Sequence, residues 1–326
     1  MVNQNQNGLD LSKVSWLEIG EHQHGQRIDN YLFRLLKGVP RSRIYRILRK
    51  GEVRVNRSRV KPEYKLQQGD RVRLPPIRVS EGRSGALHIP SWVSVALQEP
   101  LYIDDALVVY NKPAGLAVHG GSGIEFGLIE VLRQLHPEWT FLELVHRLDR
   151  ETSGCILLAR SRPVLNQLHQ QFRREEGKLE KSYLALLSGA LQHAATVNEP
   201  LMQTRDERGM KRVVVDTEGQ AAKSTFLPVE NYDQASFCRI LLYTGRMHQA
   251  RVHAASLGMP LLGDRLYGDR EINRQLRSLG VKRCMLHAER YQLQHPVSGK
   301  LVQFNAPLPE DFEAVLGRLR EPRSPT

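Results

Sequence analysis

Nine consecutive residues, His146-Arg147-Leu148-Asp149-Arg150-Glu151-Thr152-Ser153-Gly154, hold one carboxylate, Asp149, between two guanidinium groups and follow it with two hydroxyls and a glycine. Opposite charges within about 4–6 Å favour the ionised form of a carboxylate. A carboxylate that stays ionised at neutral pH can act as a nucleophile or a base. Charge spacing alone is met as well by a solvated Arg–Asp pair on a surface turn. The flanks set the frame for this run. Phe141-Leu142-Glu143-Leu144-Val145 reads as a short strand, and Cys155-Ile156-Leu157-Leu158-Ala159 reads as a second one, buried on both faces. A connection between two apolar strands that is rich in charge and hydroxyls is not built like an ordinary Gly/Pro/Asn turn.

Other chemistries find little support. Cys155, Cys238 and Cys284 are odd in number, far apart and set among apolar neighbours, which points to free thiols in a reducing compartment. His248 and His253 stand five apart, not at the i, i+4 spacing of a helical zinc pair, and no Cys/His cluster completes a site, so no metal is expected. Gly120-Gly121-Ser122-Gly123 lacks the Gly-Lys-Ser/Thr ending of a phosphate loop, and no cofactor motif appears. The first seven residues have neither a basic head nor an apolar core, and no apolar run approaches the ~18 residues of a membrane span. A cytoplasmic protein that needs neither membrane nor small-molecule cofactor is expected.

The 326 residues, 40% hydrophobic and 25% charged, suffice for a large domain and a small one. The net charge of +12 is gathered at one end: residues 1–85 contain eighteen Lys/Arg against eight Asp/Glu. Such a footprint suits a polyanion, nucleic acid before anionic membrane, because no long amphipathic helix accompanies it. Residues 1–12 are polar and expected to be disordered. Between 13 and 79 a compact module is expected. It has a helix over 29–36 ended by Gly38, a second helix from Pro40 through Lys50 stopped by Gly51, and strands at 53–56, 64–66 and 71–74. On the second helix Ile44, Ile47 and Leu48 share a core-facing side. Arg43, Arg46 and Lys50 share another, with Arg41 and Arg49 beside them. A solvated helix face would look the same; the charge excess of so small a module favours binding to phosphate.

Residues 80–100, broken by Gly82, Gly85, Pro90 and Pro100, read as a linker. From 101 to 319 a second domain opens on strands at 101–105 and 107–111, followed by a Lys112-Pro113-Ala114-Gly115 turn. It continues with a helix over 164–172 and strands at 181–187, 213–215, 223–229 and 237–242. A helix capped by Thr244 and stopped by Gly258 follows, then closing strands at 286–288 and 293–304. Residues 320–326 are expected to fray.

His146-Arg147-Leu148-Asp149-x-x-Thr152-Ser153-Gly154 resembles the signature of the RluA-type pseudouridine synthases, which isomerise uridine within RNA. Lys112-Pro113-x-Gly115, Lys181-x-Tyr183, Gly245-Arg246-x-His248-Gln249-x-Arg251-x-His253 and Gly263-Asp264-Arg265-Leu266-Tyr267-Gly268 resemble further blocks of that family, in the right order. Residues 24–75 resemble the S4 RNA-binding module through Gly25-Gln26-Arg27-Ile28-Asp29, Ser42-Arg43-Ile44, Gly51-Glu52-Val53-Arg54-Val55-Asn56 and Gly69-Asp70. Val39-Pro40-Arg41-Ser42 and His119-Gly120-Gly121-Ser122-Gly123 look most like the RluC branch, which modifies 23S ribosomal RNA.

The resemblance implies an α+β protein: a small S4-like module, then a catalytic domain on a mixed, mainly antiparallel sheet flanked by helices and loops. It implies Asp149 as the catalytic carboxylate, Arg246 as its cationic partner, Tyr183 against the target base and Arg147 entering the RNA where the uridine flips out. Flipping is expected because chemistry at C1′ cannot proceed with the base locked in a helix. It further implies 23S ribosomal RNA, free or in an assembling large-subunit particle, as partner of a monomeric enzyme. The departure is Met247, where Thr or Ser is more usual. A non-catalytic assembly factor would have no use for Asp149, Tyr183 and Arg246 together. A glycosidase would need a second carboxylate across the bond, and neither Glu143 nor Glu151 is spaced for it.

Overall fold

The structure is a computed structural model that describes residues 11–36, 39–77, 88–120, 126–173, 179–207 and 209–321. It divides into two compact units, residues 1–86 and 87–326.

In the first unit, helices Ile28–Leu35 and Arg41–Arg49 pack on a four-stranded sheet in the order Ser15–Glu18, Arg71–Leu74, Arg54–Val55, Ser58–Arg59. Ile28, Leu32, Ile44, Ile47, Val53, Leu66 and Val72 are fully buried between these layers. The core-facing side of the second helix is therefore the one its apolar spacing indicates. Pro40 precedes that helix and Lys50 caps its end; the expected Gly38 stop lies outside the described residues. Two expectations change. Leu11 is buried and its carbonyl accepts from the Ile77 N–H, so the module begins before residue 13. Tyr64–Leu66 forms no strand, only a single bridge from Lys65 to Arg27, because Asp70 ties this stretch into a turn by accepting from the Tyr64 hydroxyl and the Gln67 N–H.

The second unit is built on a mixed sheet in the order Ala195–Asn198, Lys223–Asn231, Ala235–Leu242, Glu180–Ser188, Leu286–Gln294, Ser153–Ala159, Leu107–Lys112, Tyr102–Ile103. Every pairing is antiparallel except that of Leu286–Gln294 with Ser153–Ala159. Ser153–Ala159 is buried at every position, as expected of a central strand with both faces covered. Helix Arg162–Arg173 packs against it through Val164, Leu165 and Leu168. A separate two-stranded ribbon, Leu201–Arg205 with Lys211–Val215, stands off the main sheet.

Some boundaries move. In the stretch read as a linker, Ser91–Ala96 is helical, and Val93 and Leu97, four apart, are buried in the second unit's core. Residues 78–87 lie outside the described residues. Of the strand expected at 141–145 only Glu143–Leu144 pairs, while Phe141, Leu142 and Val145 are buried by packing. Thr244 does not cap the following helix. Helix Gln249–Ser256 begins behind His248, and the Thr244 hydroxyl donates to the Gln249 side chain instead. The last helix, Glu310–Arg320, runs to Arg320, which pairs with Glu230 at 2.8 Å; residues 322–326 lie outside the described residues.

Candidate active site

Asp149 sits on the connection between Glu143–Leu144 and Ser153–Ala159, and two features hold that connection still. The first is Gly154. Its φ of +114° is one that only glycine adopts readily, and a Cβ there would lie 2.3 Å from the Ala288 carbonyl oxygen. The parallel pairing of His287 and Ala288 with Ser153 and Gly154 needs that close approach. The second is the Lys112-Pro113-Ala114-Gly115 turn. Gly115 N–H donates to the Arg150 carbonyl at 2.8 Å, and Arg150 Nε donates back to the Gly115 carbonyl at 2.9 Å. Under this clamp the fully buried Lys112 ammonium donates to the carbonyls of Pro113, Leu116 and Arg150. Burial, then the Arg283 charge, pull its pKa down to about 7, against the pull of Asp149 and Glu151. Lys112 is thus a post beneath the Asp149 turn.

The cation that meets Asp149 is Arg251. Its Nη1 donates to Asp149 Oδ2 at 3.1 Å, while Nε and Nη2 make a bidentate pair with Asp264 at 2.7 and 2.8 Å. Asp264 is completely buried and also accepts from the N–H groups of Leu266 and Tyr267. Burial pushes its carboxyl up, but Arg251 and the two N–H groups outweigh this and hold it below the ordinary range. Burial likewise opposes the Arg251 charge, and the Asp264 bond more than offsets it, so the guanidinium is fixed as a cation. Gly263 makes this turn possible. With φ +75°, it lies so close to the Arg283 carbonyl that a Cβ would stand 1.9 Å from it.

Asp149 is 23% exposed at its side chain. Among the described residues its hydrogen bond and ion-pair contacts fall on Oδ2, from Arg251 and from His248 Nε2 at 3.8 Å. Oδ1 accepts no hydrogen bond among the described residues. The expected pairing with Arg246 is not what the structure shows. Arg246 precedes the helix and gives its Nε to the Ala221 carbonyl. His248 caps this helix from outside it and Arg251 lies in its first turn, and both face Oδ2 of Asp149. The motif itself does not separate the two arginines. Nor do Arg147 and Arg150 ring the carboxylate: Arg150 is taken by Gly115, and Arg147 is exposed with no partner among the described residues.

Tyr183 is buried in strand Glu180–Ser188, with its hydroxyl 2.7 Å from that of Tyr291. Burial pushes its phenol up to about 12; the Tyr291 hydrogen bond opposes this and the Asp149 charge adds to it. At neutral pH it is a neutral hydroxyl. His146, the first residue of the signature, supports it from behind. The His146 Nε2 accepts from the Leu157 N–H at 3.1 Å, so its proton lies on Nδ1, which faces the Tyr291 hydroxyl at 3.5 Å. Burial, then the nearby Lys181 charge, bring His146 down to about 3. Met247 fills its position with packing rather than a hydrogen bond, against Leu201, Val213, Ala222 and Val252. Among the described residues no group of three or more His, Cys, Asp or Glu side chains could hold a metal, and no helix is long and apolar enough to cross a membrane.

On the first unit's second helix, Arg41, Arg46, Arg49 and Lys50 are exposed and Arg43 is half-buried. None of the five side chains has an ion-pair partner among the described residues, although Arg41 lies over the Phe33 ring at 4.9 Å.

This geometry has counterparts. A family model described as RNA pseudouridylate synthase matches residues 106–256, and one described as S4 domain matches residues 26–72. Relatives include the "Ribosomal large subunit pseudouridine synthase C" of Pasteurella multocida, 47% identical over 95% of each chain. That of Escherichia coli strain K12 is 48% identical over 96% of this chain and 99% of its own. Among solved structures, "Human RNA Pseudouridylate Synthase Domain Containing 4" superposes with a TM-score of 0.58 at 27% identity, covering 70% of this chain and 95% of its own. With an open carboxylate oxygen on the signature turn, and with relatives alike along almost their whole length, the chain belongs to the RNA pseudouridylate synthase family.

Proposed function

We propose that the protein converts specific uridines of 23S ribosomal RNA to pseudouridine in the cytoplasm, as a monomer, with Asp149 as the catalytic carboxylate. The observation that carries this reading is the asymmetry of Asp149: Oδ2 is bound by Arg251 and Oδ1 is left for the substrate. The reaction breaks C1′–N1, turns the base and joins C1′ to C5, with the C5 proton lost and one taken up at nitrogen. No electrons or groups are exchanged with a cofactor. Attack on C1′ and removal of the 2′ proton are the two routes open to a carboxylate, and both use the same free oxygen. Arg251 holds Asp149 ionised and aimed. Tyr183 meets the base as a neutral hydroxyl on a rigid strand, and Arg147, exposed two residues before Asp149, takes the space the flipped uridine leaves. The relatives' name supplies the large-subunit substrate. The cations Arg41, Arg43, Arg46, Arg49 and Lys50 supply affinity through phosphate rather than base reading.

Carbodiimide-modification primer extension on 23S RNA tests this directly. Cells lacking the protein lose particular stops; the wild type restores them and Asp149→Asn does not. Restoration by both would remove Asp149 from the chemistry, and an unchanged stop pattern throughout 23S RNA would remove that RNA as the substrate.

A further inference from the structure

The Gly263–Gly268 block resembles a family block in the sequence, and two of its side chains reach the groups that face Asp149. Asp264 holds Arg251, as described. Tyr267, three residues on, holds His248: the Tyr267 hydroxyl and His248 Nδ1 are 2.8 Å apart. A third group favours one direction for that bond. The Val213 N–H donates to the Tyr267 oxygen at 2.9 Å, so the tyrosine's own proton is free to go to Nδ1. His248 Nδ1 is then the acceptor, and the ring proton sits on Nε2, the atom 3.8 Å from Asp149 Oδ2. The facing charges agree with this assignment, because a lone pair on Nε2 would point at a carboxylate. His248 also has a backbone φ of +55°, uncommon for a side chain other than glycine or asparagine, at the residue that caps helix Gln249–Ser256. Among the described residues the other non-glycine residues with positive φ are Asn56 and Arg57, the turn of a hairpin in the first unit.

We propose that His248 is a positioning residue for Asp149: locked by Tyr267 as the neutral Nε2–H tautomer, it sets an N–H dipole 3.8 Å from Oδ2 and leaves Oδ1 to face the nucleotide. Burial keeps the imidazole from taking a second proton, outweighing the Asp149 charge, so the group acts as a neutral dipole beside the Arg251 cation. The proposal rests on Asp149 being the catalytic carboxylate. It also gives ribbon Leu201–Arg205/Lys211–Val215 a mechanical link to the site, since Val213 orients Tyr267 and the Arg212 guanidinium donates to the Leu266 carbonyl beside it.

Two readouts on the full-length protein test it. In nitrogen-15 histidine NMR of the wild type, with the His248 signal assigned by its disappearance in His248→Gln, His248 shows the Nε2–H tautomer, and Tyr267→Phe turns this into a mixture. In single-turnover tritium release from ribosomal RNA fragments carrying 5-tritiated uridine, His248→Leu is slower by about tenfold at unchanged RNA affinity. His248→Gln, which keeps a donor near the Nε2 position, recovers to within about threefold. An Nδ1–H tautomer in the wild type overturns the proposal, as does a folded His248→Leu protein that turns over at the wild-type rate. If His248→Leu does not fold, the wild-type tautomer decides. Full activity in Asp149→Asn would instead sink the Asp149 reading, an outcome distinct from either.

Discussion

The helix of the first unit and the site of the second use the same residue type in opposite ways. Arg41, Arg46 and Arg49 stand in solvent without an ion-pair partner among the described residues. Arg251, 13% exposed at its side chain, has three of its nitrogens bonded to two carboxylates. Solvated cations meet a phosphate backbone by releasing its counterions, and they tolerate many geometries. A guanidinium clamped by a buried carboxylate has one geometry and little exchange with salt. The first region is suited to a polyanion, and the second holds one oxygen atom in place.

The comparison is broken most severely at Arg251. Arg251→Met leaves Asp264 buried without its cation, a destabilisation of about 3–5 kcal/mol by the precedent of broken buried pairs. Chemical denaturation checks this, and Arg246→Met should cost well under half as much. Equal effects would mean that the Arg251 pairing does not carry the site. Lys112→Met comes next. It strips three carbonyls of their donor at a cost of about 2–4 kcal/mol, which should lower the catalytic rate more than RNA affinity.

An acid limb should follow from the buried histidines. His146 and His287, brought down to about 3 and about 4 chiefly by burial, stay neutral in the fold while the unfolded chain takes up protons below about pH 6.5. The unfolded state binds more protons in that window, so stability falls as pH drops from 6.5 towards 4. Each histidine contributes up to about 1.4 kcal/mol per pH unit. Denaturation midpoints that stay flat between pH 7.5 and 5 would show these histidines to be charged in the fold. The smallest effect on stability belongs to the first unit. Arg46→Gln, Arg49→Gln and Lys50→Gln together should shift stability by less than about 0.5 kcal/mol. They should still flatten the salt dependence of RNA binding, by roughly 0.7–0.9 in log–log slope for each phosphate that is no longer neutralised. An unchanged slope would remove this helix from the RNA interface.

How much of this is legible in the sequence varies with the physical signal. The helix over 41–49 and the buried strand at 155–159, which the structure extends back to Ser153, follow from apolar spacing, and the signature fixes Asp149 by residue type and order. The Asp149 partner is harder to read. Arg246 and Arg251 lie in one motif, and only the register of a helix that begins behind His248, four residues later than a cap at Thr244 would suggest, brings Arg251 to the carboxylate. Asp264, Tyr267 and Tyr291 act from strands and turns more than a hundred residues from Asp149 in the chain, through pairings that no local period encodes. Lys112 reads as part of a plain turn because a buried ammonium satisfied by three carbonyls has no sequence pattern of its own. Ser91–Ala96 is masked by the prolines and glycines around it.

The central claim is that Oδ1 of Asp149 opens the C1′–N1 bond. Single-turnover tritium release from 5-tritiated ribosomal RNA fragments, comparing the wild type with Asp149→Asn at saturating protein, reports the loss of the C5 proton, which follows only once that bond has opened. The account predicts a rate lower by about 10⁴-fold or more, the scale seen when an essential catalytic group is removed. Release by Asp149→Asn at a rate near that of the wild type would contradict it.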